Sequence, residues 1–494
     1  MTSEPALCDP LPGCDQVTVW GAGWTGVCAA NLLHHFGKQV TLTDTRDRET
    51  LQQALDKLAQ KRTPLRPGIA LKPGGHALWG AEAVVLTQSV RHSAPEVAAA
   101  QEAGIPVLPE VELVSRAMRG IALVSIGGTD GKTTTTKLVG HLVADQRLSR
   151  VGGNSWLPLS GTAMALVEDA QIQETCGHQP VLVSEISAFQ LPSWHGFRPR
   201  VAAITNVAED HVQEFFEGSL SAYVAAKRAL TDGLREGDTA VLNMDDPIVR
   251  TWEPALKERG VRVVRTSLTS RAVADHPWAV FRSNGELRVR WEHREERLLH
   301  QDELSLLGDH NVENVLTAIG TVLPLELDRN RLVAMLSSFE PPPHRLERVT
   351  TWRGVEVFDD SKATNTHAAA VGLGAFGTRT LIAIVGGVDK GLDLDPWVET
   401  LRTRARRVFV LGELRSRLLG DYSERLPQTS AVDTLEDAVH QAMQAAQRGE
   451  VVVLSPACSS FDMFASYADR GRQFQACVQE FIAQQGGEDA QADR

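Results

Sequence analysis

One pattern recurs in three regions of this chain: a short apolar run, a glycine-bearing turn and an amphipathic helical stretch. The regions begin at Val17, at Ile121 and after the proline run 341–343. Parallel strands need crossovers that pack on the sheet, so this alternation predicts an α/β protein built of βαβ units. The regions predict three domains, over 1–114, 115–340 and 341–494. Within the second, the alternating apolar and polar residues of segment 262–303 predict a small antiparallel sheet.

Composition limits the classes of function. The 494 residues include 50 basic and 62 acidic side chains, a formal net charge of −12, which repels nucleic acids and anionic membranes. No stretch approaches the roughly 18 apolar residues that span a bilayer, and the N-terminal residues lack the features of a signal peptide. The six cysteines form no CxxC pair, which argues against a zinc ribbon or a disulfide framework. We expect a cytoplasmic protein that binds neither nucleic acid nor membrane.

The strongest local signal is the run GGTDGKTT at 127–134, between an apolar strand and a helical pattern. In such a loop, backbone N–H groups bind phosphate, the lysine neutralises its charge and a hydroxyl reaches Mg²⁺. The pattern predicts an ATP phosphate loop of Gly128, Thr129, Asp130, Gly131, Lys132, Thr133 and Thr134. It is one residue shorter than GxxxxGK[ST], so a glycine turn without a ligand is the alternative.

An earlier loop, 21–26, has the spacing GxGxxG, and Asp44 ends the next predicted strand. This is the arrangement of a dinucleotide fingerprint with its acidic ribose ligand. A lone fingerprint is weak evidence, because a tight packing turn needs the same glycines. NAD, a nucleotide-sugar and a loop without a ligand all stay open on these residues alone.

Several polar residues follow the phosphate loop. Glu185 and the pair Asp210-His211 come after apolar strands, where carboxylate and imidazole groups suit Mg²⁺ beside phosphates, although helix caps are the alternative. Lys227 lies in a helical pattern that by itself indicates a solvated surface lysine. Asn311 and Asn314 open another helical pattern, where amides contact a base or merely cap the helix.

The third region supplies cations. Arg345, Lys362 and Lys390 suit a carboxylate substrate and an acyl phosphate, although the turns that carry them are also compatible with a purely structural role. No His or Asp is spaced to activate Ser455 or Cys458, so covalent catalysis is disfavoured.

Together these segments resemble the Mur ligases of peptidoglycan synthesis, from the loop at Gly21 to Arg470-Gly471. The motifs occur in the order GxGxTG, GTxGKTT, GGN, ExSxFQL, NxxxDH, YxxAK, NxDDP, GxHNxxN, HRxE, DDSKATN, GGxDKG and SPAxxSFDxF. The resemblance implies a Rossmann-like UDP-substrate domain, a central P-loop ATPase domain and a Rossmann-like amino-acid domain. It is greatest to members that add D-glutamate to UDP-N-acetylmuramoyl-L-alanine through an acyl phosphate. We expect a monomer.

The resemblance also implies a role for each matched residue. The UDP-substrate set is Trp24, Thr25, Asp44, Thr45, Arg46 and Asn154. The phosphate loop would bind ATP together with Asn311, Asn314, Arg345 and Asp360. Two Mg²⁺ ions would be held by Thr133, Glu185, His211 and Lys227, the last at the position of a carbamylated lysine. D-Glutamate would meet Lys362, Thr364, Lys390, Ser460 and Tyr467, and the catalytic set is Lys132, His211, Lys227 and Lys362.

Three segments depart from the family's pattern. Thr87-Gln88-Ser89 replaces SPG, Asn154-Ser155-Trp156 falls in place of NIG, and 212–215 replaces LDRH. They lie on the UDP-substrate side and leave the ATP and metal sets intact. The alternatives are a Mur-type or folylpolyglutamate-type ligase for another amino acid, a catalytically silent nucleotide-binding partner and, more weakly, an NAD-dependent dehydrogenase.

Overall fold

The structure is a computed structural model that describes residues 7–61, 63–78, 80–118, 120–172, 179–191, 196–208, 216, 218–340, 343–389, 391 and 393–492. The chain divides into two compact units, Met1–Leu304 with Glu313–Phe339, and Ser305–Val312 with Glu340–Arg494. No helix in the described ranges is long and apolar enough to cross a membrane.

The predicted α/β class is confirmed, with strands and helices alternating along most of the chain. The strands are β1 Gln16–Trp20, β2 Gln39–Asp44, β3 Ala70–Pro73, β4 Ala83–Leu86, β5 Val107–Pro109, β6 Ala122–Gly127, β7 Ser149–Gly153, β8 Val181–Glu185, β9 Val201–Ile204, β10 Thr239–Asn243, β11 Arg262–Ser267, β12 Trp278–Ser283, β13 Glu286–Trp291, β14 Arg294–His300, β15 Glu347–Trp352, β16 Val355–Asp359, β17 Leu381–Gly386, β18 Ala405–Leu411, β19 Gln428–Ala431 and β20 Val451–Leu454. The helices are α1 Trp24–His35, α2 Arg48–Gln60, α3 Pro95–Glu102, α4 Glu110–Ala117, α5 Lys132–Ala144, α6 Leu159–Ile172, α7 Leu220–Asp232, α8 Glu253–Glu258, α9 Asp309–Val322, α10 Arg329–Ser338, α11 Thr366–Gly374, α12 Asp395–Arg404, α13 Arg415–Asp421, α14 Leu435–Ala445 and α15 Tyr467–Ala492.

The first sheet is parallel and has the order β3-β2-β1-β4-β5. Its order reverses between β1 and β4, which is the switch point where doubly wound sheets open a crevice beyond the carboxyl ends of their strands. The loop after β1 and the segment after β4 both lie there. The first glycine loop and the departure at 87–89 are therefore neighbours.

The second sheet also belongs to the first unit and has the order β14-β13-β12-β11-β10-β9-β6-β8-β7. Strands β6 to β12 pair in parallel, whereas β12, β13 and β14 pair antiparallel. The antiparallel strands predicted within 262–303 are present, but β11 is parallel and the others extend the same sheet. Strand β6 is buried throughout, since helices cover both faces of such a sheet.

The third sheet, in the second unit, has the order β15-β16-β20-β17-β18-β19. Only β15 is antiparallel to its neighbour. The segments that follow β16, β17 and β20 leave the same edge of the sheet, because parallel strands end on one side. These segments carry the motifs DDSKATN, GGxDKG and SPAxxSFDxF.

Candidate active site

The predicted phosphate loop joins β6 to α5 and depends on two glycines. Gly128 has φ +135° and Gly131 has φ +79°, a region that favours glycine. A Cβ on Gly128 would overlap Thr205 Oγ1, and one on Gly131 would overlap Asn314 Oδ1. Both conformation and space therefore require glycine at these positions.

The segment after the neighbouring strand β9 holds the loop in shape. Asn206 accepts the N–H of Asp130 on its Oδ1 at 2.8 Å and the N–H of Thr129 on its carbonyl at 2.9 Å. Thr205 Oγ1 donates to the Asp130 carbonyl at 2.6 Å. Neither residue was among the predicted site residues, although Asn206 opens the NxxxDH motif and could have been found there.

Two lysines converge on carbonyl groups of the loop. Lys132 Nζ donates to the Thr129 carbonyl at 2.6 Å, and Lys227 Nζ donates to the Gly128 carbonyl, also at 2.6 Å. Lys227 is only 6% exposed and lies over the Tyr223 ring, 4.5 Å from its centroid. The helical pattern taken alone, which indicated a surface lysine, was wrong. It could not show that α7 packs this face toward the phosphate loop.

Glu185 ends β8, beside β6 on one side and β7 on the other. Its carboxylate is buried and accepts hydrogen bonds from Asn154 Nδ2 at 3.3 Å, Ser155 Oγ at 2.8 Å and Trp156 Nε1 at 3.2 Å. Asn154, predicted on the UDP-substrate side, thus also contacts the predicted metal ligand. Thr133 lies in the first turn of α5 and is half-buried, next to the buried Thr134. His211 lies outside the described residues.

In the first glycine loop, a backbone N–H donates to the carboxylate of Asp44. Asp44 accepts the N–H of Ala22 at 2.8 Å and binds Arg46 through the Nε at 2.7 Å and the Nη2 at 2.8 Å. Burial acts to raise the pKa of Asp44, but hydrogen bonds from Arg46 and from backbone N–H groups outweigh it and lower that pKa to about 2. Thr45 is exposed between them.

A pocket of about 360 Å³ brings several predicted residues together. It is lined by Trp24, Thr25, Thr87, Gln88, Ser89, Asn154, Ser155 and Trp156, among others. Three members of the UDP-substrate set therefore share one pocket with two of the departures from the family's pattern. Asp44, Thr45 and Arg46 are outside its lining. Glu110 also borders the pocket, and burial raises the pKa of its carboxyl although Ser160 donates to it.

In the second unit, Asp360 is buried directly after β16. It accepts hydrogen bonds from Ser455 Oγ at 2.9 Å and from the Leu346 N–H at 3.3 Å. Burial raises the pKa of Asp360 to about 7, a rise that these donors and the nearby Arg345 only limit. Asn311, also in this unit, donates to the Leu307 carbonyl at 2.8 Å. Asn314, in the first unit, accepts from Thr135 at 3.3 Å.

The predicted D-glutamate residues lie on the segments that leave the third sheet. Lys362 Nζ lies 5.4 Å from the centroid of the Tyr467 ring, and Tyr467 is partly exposed. Ser460 is buried, and its Oγ has no hydrogen-bond partner among the residues that the structure describes. Thr364 is half-buried. Lys390 lies outside the described residues.

Arg470 was missed as a site residue, although it ends the stretch of resemblance. It is fully buried and donates to the Ser361 Oγ and carbonyl, both at 2.9 Å, and to the Cys458 carbonyl at 3.1 Å. Burial lowers the pKa of this guanidinium to about 10. One side chain thus joins the segments after β16 and β20, which carry the predicted D-glutamate residues.

A second cluster of ligand-type atoms lies near Arg345. Atoms of His344, Glu347 and Asp359 all lie within 4.8 Å of one another. His344 Nδ1 is 2.7 Å from Asp359 Oδ2, and Gln475 Nε2 donates to both carboxylates. These hydrogen bonds indicate that the cluster has a structural role and stabilises the turn that carries Arg345.

Comparison with known proteins decides the family. Residues 126–322 match the Mur ligase middle domain, and residues 344–458 match the Mur ligase, glutamate ligase domain. The UDP-N-acetylmuramoylalanine--D-glutamate ligase of Geobacter metallireducens is 36% identical over 465 residues, or 94% of this chain and 97% of that protein. The ligase of the same name from Salinibacter ruber is 36% identical over 477 residues, covering 94% and 98%.

The chain belongs to the Mur ligase family. The predicted resemblance is confirmed. Solved structures show the same fold at low identity: the UDP-N-acetylmuramate-alanine ligase of Thermotoga maritima aligns with this Mur ligase at a TM-score of 0.52 and 17% identity, covering 94% of this chain and 99% of that one. A pseudomurein peptide ligase type C from Methanothermus fervidus gives a TM-score of 0.52 and 18% identity over 89% and 96%.

Proposed function

We propose that this Mur ligase joins D-glutamate to UDP-N-acetylmuramoyl-L-alanine with ATP, in the cytoplasmic synthesis of peptidoglycan precursors. The observation that carries the proposal is the phosphate loop at the N-terminus of α5, with the Lys132 ammonium on the Thr129 carbonyl. A cation and a helix N-terminus in one place suit a polyphosphate. The names of the relatives from Geobacter metallireducens and Salinibacter ruber support the choice of substrates.

The chemistry follows from the weakness of a carboxylate as an electrophile. The terminal carboxylate of the UDP-substrate attacks the γ-phosphorus of ATP, which gives an acyl phosphate and ADP. The amine of D-glutamate then attacks the acyl carbon and gives up a proton to water, and the tetrahedral intermediate releases inorganic phosphate as the amide forms. Negative charge builds on the transferred phosphoryl group, and we assign to Lys132 the role of offsetting that charge. No protein nucleophile is required, so positioning supplies most of the catalysis.

The residues beside the loop fit Mg²⁺. Glu185 is a buried carboxylate at the carboxyl end of a strand next to β6, and such oxygen donors suit a hard cation. We propose that Glu185, the Thr133 hydroxyl and His211 hold the ions. An ammonium has no lone pair for a metal, so Lys227 would join them only as a carbamate. The ions, when bound, would offset charge on the phosphates.

The remaining sets extend the proposal to the whole chain. We assign the UDP-substrate to the pocket that Trp24, Thr25 and Asn154 line, with Asp44, Thr45 and Arg46 at the neighbouring strand end. ATP would also meet Asn311, Asn314, Arg345 and Asp360, and D-glutamate would meet Lys362, Thr364, Lys390, Ser460 and Tyr467. These assignments keep the domain limits 1–114, 115–340 and 341–494 and a monomeric enzyme.

A panel of amino acids tests the proposal. The purified protein, given UDP-N-acetylmuramoyl-L-alanine and Mg-ATP, should release ADP with D-glutamate and little with L-glutamate, L-lysine or diaminopimelate. Turnover with L-lysine or diaminopimelate but none with D-glutamate would instead indicate a ligase for another amino acid. Binding of the UDP-substrate without any phosphate release would indicate a silent partner, and a nicotinamide-dependent absorbance change would indicate a dehydrogenase.

A further inference from the structure

The carboxylate of Glu185 is enclosed by three consecutive residues of the turn after β7. Its Oε1 accepts from Ser155 Oγ at 2.8 Å and from Asn154 Nδ2 at 3.3 Å, while its Oε2 accepts from Trp156 Nε1 at 3.2 Å. Glu185 is 1% exposed. A carboxylate offers about four lone-pair sites, so three donors fix its orientation and leave room for a further ligand.

The turn that carries these donors is itself rigidly defined. Gly153 has φ +105°, and a Cβ there would overlap the Glu185 carbonyl. The Asn154 N–H donates to that carbonyl at 2.9 Å, and the Trp156 N–H donates to the Gly153 carbonyl at 3.0 Å. The backbone of the turn therefore holds the three donors beside Glu185.

Two of the three donors belong to a departure from the family's pattern. Ser155 and Trp156 stand where the resemblance has isoleucine and glycine, and neither of those residues has a side-chain donor. Trp156 also lies under Lys137, whose Nζ is 5.6 Å from the centroid of the indole. The serine hydroxyl and the indole N–H are thus features of this chain, and both are directed at one carboxylate.

We propose that Ser155 and Trp156 are positioning residues that orient Glu185 toward the divalent cation of the phosphate loop. The proposal rests on the proposed function, because it takes Glu185 as a metal ligand. Hydrogen bonds to a ligating carboxylate restrict its rotation, and loss of such an outer partner typically weakens metal affinity by 10- to 100-fold. Trp156 would also report binding, because its N–H shares the carboxylate with the ion.

The test uses Mn²⁺ as the probe, counted by its electron paramagnetic resonance signal in the presence of a non-hydrolysable ATP analogue. Ser155→Ala and Trp156→Phe should each raise the Kd for Mn²⁺ by about 10-fold. Ser155→Thr keeps the hydroxyl and Trp291→Phe removes an indole on β13, so both should stay within twofold of the parent. Circular dichroism checks folding, and the exposed Ser155 provides a variant that does not alter the core.

A spectroscopic readout identifies which indole lies close to the bound ion. Mn²⁺ quenches and Mg²⁺ perturbs nearby indoles, so the Mg²⁺-induced change in tryptophan emission should shrink in Trp156→Phe and persist in Trp291→Phe. Equal Kd values for Mn²⁺ in the parent, Ser155→Ala and Trp156→Phe would overturn the proposal. A parent enzyme that binds Mn²⁺ but never uses D-glutamate would contradict the proposed function alone, because the comparison of Kd values still decides this inference.

Discussion

The two glycine loops of the first unit share a local pattern and differ in the charge that completes them. Each follows a buried parallel strand and leads into a helix, α1 or α5. In the first loop the N–H of Ala22 is bound by the carboxylate of Asp44, so the chain supplies its own anion. In the second, the ammonium groups of Lys132 and Lys227 lie on loop carbonyls. The glycine spacing determines the backbone conformation of both loops. The charged side chains beside each loop, a carboxylate in one and ammonium groups in the other, would determine which ligand it binds.

The difference in charge beside the two loops predicts that they bind different ligands, although their backbones are similar. An external phosphate at the N–H of Ala22 would compete with Asp44, which Arg46 holds in place, and would meet its negative charge. An external phosphate at the second loop would instead meet the Lys132 ammonium and a helix N-terminus. The comparison therefore predicts that the loop 127–134 binds a polyphosphate. Beside Asp44 it predicts binding of an uncharged part of a ligand, or contacts made by the protein backbone.

The largest expected effect comes from removing the cation that begins α5. Lys132→Ala should lower the rate of ADP release by about 10³-fold, because the variant loses the ammonium charge that offsets the charge on the transferred phosphoryl group. Steady-state assays with all three substrates measure it. Lys57→Ala, at the end of α2, is a matched control and should keep the parental rate. A Lys132→Ala enzyme within tenfold of the parent would remove the functional distinction between the loops.

Adding a side-chain atom to a glycine of the first loop should lower the stability of the folded protein. A Cβ on Gly26 would overlap the Gly21 carbonyl, whereas a Cβ on Gly23 meets no atom within 4 Å among the described residues. Gly26→Ala should therefore lower the free energy of unfolding by about 3 kcal/mol. Gly23→Ala should cost only about 1 kcal/mol, as expected for alanine at a helix N-cap.

Denaturant unfolding followed by circular dichroism measures both variants. Equal losses of stability in Gly26→Ala and Gly23→Ala would show that packing of α1 against the loop is not what requires glycine. The first loop would then differ from the phosphate loop in more than its charge.

Local pattern was sufficient to predict the strands that frame these loops and the glycines within them. It was insufficient for contacts that depend on the order of strands in the sheet. Asn206 reaches Asp130 across 76 residues of sequence because β9 lies next to β6. Arg470 meets Ser361 across 109 residues. Lys227 is buried because of where α7 packs, which periodicity alone did not predict.

Where a family motif includes a residue, the resemblance predicted that residue's site although local pattern could not. Where the chain departs from the motif, the resemblance gave no prediction of the residue's contacts. Through YxxAK, Lys227 was predicted as a carbamylated ligand of Mg²⁺, which stays a prediction; the structure shows its ammonium on the Gly128 carbonyl of the phosphate loop. Ser155 and Trp156 were identified only as departures. Their common hydrogen-bond partner, Glu185, lies beside them because β7 and β8 are neighbours in the sheet. Contacts particular to one chain need the structure.

The smallest expected effect tests the charge that completes the first loop. Hydrogen bonds from Arg46 and from backbone N–H groups hold the pKa of Asp44 at about 2 in the folded protein, below the usual value for an aspartate, so ionised Asp44 stabilises the fold. This contribution is present above about pH 4 and is lost as the pH falls through the folded pKa. Asp44→Asn should therefore lower the free energy of unfolding by about 2 kcal/mol at pH 7, and the difference should narrow below about pH 4.

Asp360→Asn provides a comparison of opposite sign. Burial raises the pKa of Asp360 to about 7, so its contribution to stability is full below about pH 4 and is lost progressively as the pH rises from there to about 7. Asp360→Asn should gain stability relative to the parent above pH 7, where Asp44→Asn shows its full loss. Denaturant unfolding between about pH 2.5 and pH 8.5 measures both, because the Asp44 contribution is lost mainly below about pH 4. An Asp44→Asn difference that is independent of pH would mean that shape rather than charge closes the first loop, and the contrast with Lys132 and Lys227 would lose its electrostatic basis.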